Sequence, residues 1–152
     1  MGGTIVCGVS GTPDGREAAG LAAALGARLG LRLVLVSVLE GMPESARESL
    51  TARQQRSGSE RMLQEVAREL GDGAEVRLVH GERAEALAQV AAEEGADVIV
   101  VGSRPAGLGS RKLRSTLARE LEAVTPVPVL VAPPSTRRRS ERRLAMAVEA
   151  NG

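Results

Sequence analysis

The fold of this chain is decided by residues 98–132, which read VIVVGSRPAGLGSRKLRSTLARELEAVTPVPVLVA. The apolar run at 98–101 is typical of a buried strand, and it breaks at Gly102 into a polar, glycine-bearing loop. A helix is predicted over residues 111–124 and another strand over 127–131. A strand that continues through such a loop into a helix directs free backbone N–H groups and the positive helix end at one point, which favours anion binding.

Upstream of this stretch, apolar runs predict three more strands, at residues 4–9, 31–39 and 75–79. The run at 31–39 is apolar almost throughout, as in strands of a parallel sheet that are covered on both faces. The run at 75–79 alternates instead, which indicates a sheet edge with one wetter face. Pro128 lacks a backbone N–H, so the last strand is also expected at an edge.

Between the strands, apolar residues recur at helical spacing. The first helix is predicted to begin at Pro13, with Thr12 as its N-cap, and to stop at Gly30. The second part of segment 43–70 has an apolar helical face, whereas its polar first part fits either a loop or a loose helix. A third helix stops at Gly95. The order βαβαβαβαβ predicts an α/β fold with a parallel sheet between helices and right-handed crossovers.

Length and composition divide the chain into two parts. Residues 1–132 are predicted to form one α/β domain, and the 152 residues of the whole chain suffice for a sizeable core. Residues 133–152 form an arginine-rich tail, in which five arginines cluster around Glu141. This composition fits a solvated tail. The alternative is an arm that contacts an acidic partner, nucleic-acid phosphates or a second subunit.

The composition argues against several function classes. The net charge of +1 creates no field that attracts nucleic acid, and without Phe, Tyr or Trp no ring can stack on a base. We therefore expect no nucleic-acid partner for the domain. The apolar runs are shorter than the roughly 18 residues that span a bilayer, and the N-terminus lacks a signal-peptide pattern. A cytoplasmic protein without membrane association is the expectation.

Few side chains are candidates for catalysis or metal binding. Cys7, the only cysteine, lies in an apolar run and is interpreted as a core residue. His80 is the only histidine, so we expect no metal site of ordinary ligand count and interpret this residue as hydrogen-bonded at a strand end. No hydroxyl has an evident activating base beside it. The sequence therefore predicts a protein that is not an enzyme.

Several phrases of the chain resemble the universal stress protein family, over nearly residues 3–132. They are the Gly81 turn after the third strand, the loop opening at 102–104 and the closing strand phrase at 126–131. The resemblance implies a doubly wound sheet sandwiched by helices, with strand order 3-2-1-4-5. It also implies a homodimer, for which the apolar edge Val127–Val131 is the expected interface because an unpaired strand edge invites pairing.

Nucleotide-binding members of this family carry, after the fourth strand, the pattern Gly, two residues, Gly, nine residues, Gly, then Ser or Thr. Gly102 and Thr116 match its first and last positions, whereas Pro105 and Ser115 replace the second and third glycines. Proline removes an N–H donor and fixes φ, and the serine Cβ crowds a phosphate. The family's acidic residue at the end of the first strand is also missing, since the phrase here begins with Ser10.

The resemblance implies a pocket for ATP or AMP beyond the carboxyl ends of the first and fourth strands, where the strand order reverses. Two additional glycines and several basic residues in the loop are compatible with a shifted, more basic phosphate cradle. The predicted nucleotide-binding residues are Val9, Ser10, Gly11, Thr12, Val38, Gly102, Ser103, Arg104, Pro105, Gly107, Gly109, Ser115 and Thr116.

The sequence is compatible with two functions. The first is a stress-response protein that acts by binding and dimerising, with weak adenine-nucleotide binding. The alternative is an interaction or scaffold protein with an unknown protein partner, whose pocket is empty or holds another anion.

Overall fold

The computed structural model describes residues 2–10, 13–71, 73–103 and 116–133. Strands and helices alternate within these ranges, and a 3-10 helix over Glu44–Ala46 precedes the second α-helix. The elements are β1 (Thr4–Gly8), α1 (Pro13–Leu29), β2 (Arg32–Leu39), α2 (Leu50–Glu69), β3 (Ala74–His80), α3 (Arg83–Glu94), β4 (Val98–Gly102), α4 (Thr116–Val124) and β5 (Val129–Ala132).

The strands form one parallel sheet in the order β3-β2-β1-β4-β5, which confirms the predicted fold class and strand order. At its centre, Cys7 of β1 is paired with Leu35 on one side and Val100 on the other. β3 and β5 lie at the two edges, as the alternation and Pro128 predicted. Pro128 comes just before β5, where its carbonyl accepts a 2.9 Å bond from the Ile99 N–H.

Helices cover both faces of the sheet with aliphatic side chains. α1 and α2 pack on one face, and α3 and α4 pack on the other. Because strand side chains alternate, neighbouring residues of β1 enter different cores: Cys7 lies on the α1 face and Val6 on the α3 face, and both are fully buried. Two aliphatic cores therefore replace the aromatic packing that the composition excludes.

The helix boundaries follow the predicted start and stop signals where the structure describes them. α1 begins at Pro13 and ends before Gly30, and α3 ends at Gly95, which has the left-handed φ of +63° that favours glycine. The polar first part of segment 43–70, for which the sequence fitted either a loop or a loose helix, is mostly helical. Ser49 caps α2 by accepting a 3.2 Å bond from the Ala52 N–H. Thr12, the start of the helix predicted at 111–124 and the tail beyond 133 lie outside the described residues.

Ion pairs and a capping carboxylate join elements near the amino edge of the sheet. Arg32 pairs with Glu94 and, at 3.0 Å, with Glu75. Arg77 pairs with Glu93 at 2.8 Å and with Glu94 at 3.2 Å, which links β2, β3 and the end of α3. Each partly exposed pair contributes about 0–1 kcal/mol, and the shared Glu94 makes them a network. Asp97 also lies at this edge, where its carboxylate accepts a 2.9 Å bond from the N–H at the start of β1.

Candidate functional site

The candidate site begins where β1 and β4 end side by side. The two strands are paired in parallel, with Cys7 level with Val100, and they end at Gly8 and Gly102. The chain leaves β1 for α1 on one face of the sheet and leaves β4 for α4 on the other. This divergence makes the carboxyl edge between β1 and β4 the switch point at which open α/β sheets form ligand crevices.

Val9 and Ser10 continue the chain beyond the carboxyl end of β1. The Val9 N–H donates to the Val36 carbonyl at 2.8 Å, and its buried side chain belongs to the core on the α1 face. Ser10 is exposed, and its backbone packs against the first turn of α1. A Cβ added at Gly15 would lie 2.5 Å from the Ser10 carbonyl oxygen, so this close approach requires glycine.

Gly102 and Ser103 occupy the corresponding position after β4. Gly102 is half-buried and paired with Ala132 of β5. The Ser103 side chain is buried, and its hydroxyl donates a 2.8 Å hydrogen bond to the Ala132 carbonyl. The hydroxyl of Ser103 therefore holds the end of β5 against β4.

Val38 lies near the carboxyl end of β2, where it is paired with Val79 of β3. Its half-buried side chain packs on the α3 face, opposite the face that receives Val9. The structure thus brings the end of β1 and the end of β4 together, and it separates the side chains of Val9 and Val38 by the thickness of the sheet.

The rest of the predicted pocket lies outside the described residues. Thr116 is the first residue of α4, but its side chain is outside them as well. The nucleotide-binding role of these positions stays a prediction: Gly11, Thr12, Arg104, Pro105, Gly107, Gly109 and Ser115.

His80 lies at the same edge of the sheet, at the end of β3. Its Nε2 is 3.2 Å from the Arg56 guanidinium, and its buried Nδ1 has no hydrogen-bond partner in the described chain. Burial lowers the pKa of His80 from its usual 6.5, and the positive charges of Arg47 and Arg56 lower it further. The surroundings of the imidazole therefore favour its neutral form over the imidazolium.

A hollow opens next to His80, between the 3-10 helix and the first turns of α2. It has a volume of about 540 Å³ and is lined by Glu44, Ser45, Arg47, Glu48, Arg53 and Arg56. The sequence did not predict this cluster, because the polar first part of segment 43–70 fits either a loop or a loose helix. The signal that could have found it is the three-residue spacing of Arg53 and Arg56, which places both on one side of a helix.

Across residues 2–10, 13–71, 73–103 and 116–133, no three His, Cys, Asp or Glu side chains gather in a way that could hold a metal ion. In the same ranges, no helix combines the length and apolar character needed to cross a membrane.

These elements define a doubly wound α/β protein in which the strand order reverses between β1 and β4. The model of the Universal stress protein family matches residues 1–133, and the chain belongs to that family. No curated protein sequence matches the chain significantly.

Solved structures of the same family are similar in fold. A universal stress family protein from Burkholderia pseudomallei is 26% identical, with a TM-score of 0.66, and the match covers 86% of this chain and 96% of that one. A universal stress protein in complex with cAMP is 20% identical, with a TM-score of 0.68 and coverage of 88% and 98%. The Archaeoglobus fulgidus protein in complex with dAMP is 21% identical, with a TM-score of 0.64 and coverage of 86% and 98%.

Proposed function

We propose that this protein binds an adenine nucleotide, ATP or AMP, in the crevice between β1 and β4 and acts in the stress response by binding rather than catalysis. The observation that carries the proposal is the side-by-side ending of β1 and β4, with Ser10 exposed beyond one strand and Gly102 at the end of the other. The family relatives in complex with cAMP and dAMP support the choice of an adenine nucleotide.

The sequence of the loop after β4 argues that this binding is weak. Pro105 and Ser115 stand where nucleotide-binding members have glycine, and each substitution limits the approach of the backbone to a phosphate. An adenine nucleotide would then depend on the remaining N–H donors of the loop and on its basic residues.

Calorimetric titration with ATP and magnesium tests this function. We expect a measurable heat and a rise in melting temperature at millimolar ATP, and a smaller response to CTP, which presents the same phosphates on another base. The double variant Pro105→Gly with Ser115→Gly should bind ATP more tightly because it restores the glycines. If the wild type gives neither heat nor thermal shift, the nucleotide function is wrong and the interaction protein with an unknown partner replaces it.

We also propose that the protein works as a cytoplasmic homodimer joined along the Val127–Val131 edge. In the described chain, β5 has a strand partner only in β4, and Leu130 and Val131 are 39% and 37% exposed. An apolar strand edge that is open to water is a favourable surface for a second copy. As an alternative role for the arginine-rich residues 133–152, we propose that they hold an acidic partner or nucleic-acid phosphates. Truncation after Pro134 should then abolish that binding, which should also fall steeply with salt.

A further inference from the structure

The hollow beside His80 carries positive charges that the proposed nucleotide crevice does not use. We call it the arginine hollow and define it by its lining residues, Glu44, Ser45, Arg47, Glu48, Arg53 and Arg56. These residues belong to the 3-10 helix, the turn after it and the start of α2, and none of them is among the predicted nucleotide-binding positions. The arginine hollow is therefore a separate candidate site.

The arginines of the hollow lack carboxylate partners. Among the described residues, no carboxylate oxygen lies within ion-pair distance of Arg47, Arg53 or Arg56, whereas Arg32 and Arg77 each pair with two glutamates. The Nε of Arg47 is buried and has no hydrogen-bond partner in the described chain. A buried donor without a partner costs free energy, which a ligand oxygen would recover.

His80 does not line the hollow, but it contacts Arg56, one of the lining residues. Its Nδ1 is buried and unbonded among the described residues, and its Nε2 contacts the Arg56 guanidinium. Guanidinium groups are planar forks of N–H donors that match the oxygens of phosphate. An anion in the hollow would be attracted by all three guanidinium groups.

The remaining lining residues narrow the class of ligand. Glu44 and Glu48 offset two of the three arginine charges, so the hollow has a net charge of +1 with His80 neutral. Carboxylates repel a ligand that is anionic throughout, but they accept hydrogen bonds from hydroxyl groups. The lining contains no apolar side chain on which a base or an acyl chain would pack. The volume of about 540 Å³ is sufficient for a small phosphorylated molecule.

We propose that the arginine hollow binds a phosphorylated sugar, with Arg47, Arg53 and Arg56 on the phosphate and Glu44 and Glu48 on the hydroxyls. The proposal rests on the juxtaposition of unpaired guanidinium groups with carboxylates in one hollow, and it is independent of the proposed nucleotide function.

His80 provides a direct measurement of binding. The chain has one histidine and no Phe, Tyr or Trp, so in heavy water the carbon-bound imidazole protons are its only aromatic side-chain proton signals. Titration with ribose 5-phosphate should shift these signals saturably, inorganic phosphate should bind more weakly, and ribose should not bind. Absence of a saturable shift would overturn the proposal. Equal affinity for inorganic phosphate would overturn the sugar assignment, because the two glutamates would then contribute nothing.

Variants of matched charge locate the site. Arg56→Gln and Arg47→Gln should each weaken binding of ribose 5-phosphate about tenfold or more. Arg53→Gln, at an exposed position, should weaken the same binding. Arg61→Gln, an exposed residue of the same helix that does not line the hollow, should change the affinity less than about twofold. A similar loss in Arg61→Gln would mean that only the general charge of α2 matters and would overturn the proposal.

The same variants separate this site from the proposed nucleotide crevice. Arg47→Gln should bind AMP as the wild type does, while the double variant at Pro105 and Ser115 should bind ribose 5-phosphate as the wild type does. If Arg47→Gln loses both ligands, the arginine hollow is part of the nucleotide site and the proposal of a second site is wrong.

Discussion

Cys7 lies near the centre of β1, the middle strand of the sheet. Its side chain is fully buried between the sheet and α1. Burial raises the pKa of the thiol from 9.0 to about 12, because the thiolate is disfavoured where water cannot reach it. A cysteine in this position packs as a small apolar side chain, as its sequence context predicted.

The Cys7 thiol is expected to be inert in the native protein. At pH 10 the unfolded chain would expose an ionised thiol that reacts quickly with Ellman's reagent, whereas the folded thiol stays protonated below about 12. The reaction rate should therefore follow global unfolding and rise steeply with added denaturant. Rapid stoichiometric labelling of the folded protein without denaturant would contradict the buried position of the residue.

The same pKa difference gives the sign of a contribution to stability. Between pH 9 and about 12 the folded state retains a proton that the unfolded state loses. The contribution of Cys7 to the free energy of unfolding is therefore complete below pH 9 and declines as the pH rises through this range.

Two glycines of α1 have opposite roles within one element. A Cβ at Gly15 would meet the Ser10 backbone, with contacts of 2.5 Å and 2.9 Å, whereas a Cβ at Gly20 would meet nothing within 4 Å. The first glycine therefore serves the close packing of the β1–α1 turn, and the second only adds backbone freedom to the unfolded chain.

Substitution by alanine should separate these roles. Gly15→Ala is expected to lower the free energy of unfolding by about 1–3 kcal/mol, because the methyl group forces the turn at Ser10 to move. Gly20→Ala, the matched control in the same helix, should raise it by about 0.5–1 kcal/mol. Denaturant unfolding measures both changes, and an equal effect of the two substitutions would contradict the close approach at Ser10.

Most helices and strands were predicted from the sequence, and those that were not have physical reasons. The continuous apolar run was enough to predict β2, because a strand that is covered on both faces requires apolar residues throughout. Gly95 was enough to predict the end of α3, because a left-handed cap favours glycine. The sequence did not distinguish helix from loop in the first half of α2, because its polar residues occur in both. In the structure the Ser49 side chain caps the start of this helix. The arginine hollow escaped prediction for the same reason, since its residues converge only once this segment is helical.

The whole molecule has two sheet edges with comparable exposed valines. Val131 on β5 is 37% exposed, and Val76 on β3 is 38% exposed. The proposed homodimer uses only the β5 edge. Val131 is therefore the position that tests the interface, and Val76 is its control at the other edge.

Val131→Glu should dissociate the dimer, because the twofold arrangement would bury two like charges beside each other. We expect its dissociation constant to rise about tenfold or more, whereas Val76→Glu should leave it near the wild-type value. Sedimentation analysis of the three proteins measures this difference. A wild-type protein that is monomeric at high concentration, or a larger effect of Val76→Glu, would exclude the β5 interface.

The ion pairs near the amino edge have a consequence for how such a protein can diverge. Arg32, Arg77 and Asp97 tie the elements together at one end of the sheet, while the crevice and the arginine hollow both open at the other. Ser10, Gly102 and the lining of the hollow are not part of this network, so a substitution at those positions leaves these ion pairs in place. A descendant of this scaffold can therefore acquire a different ligand while one end of its sheet stays cross-linked.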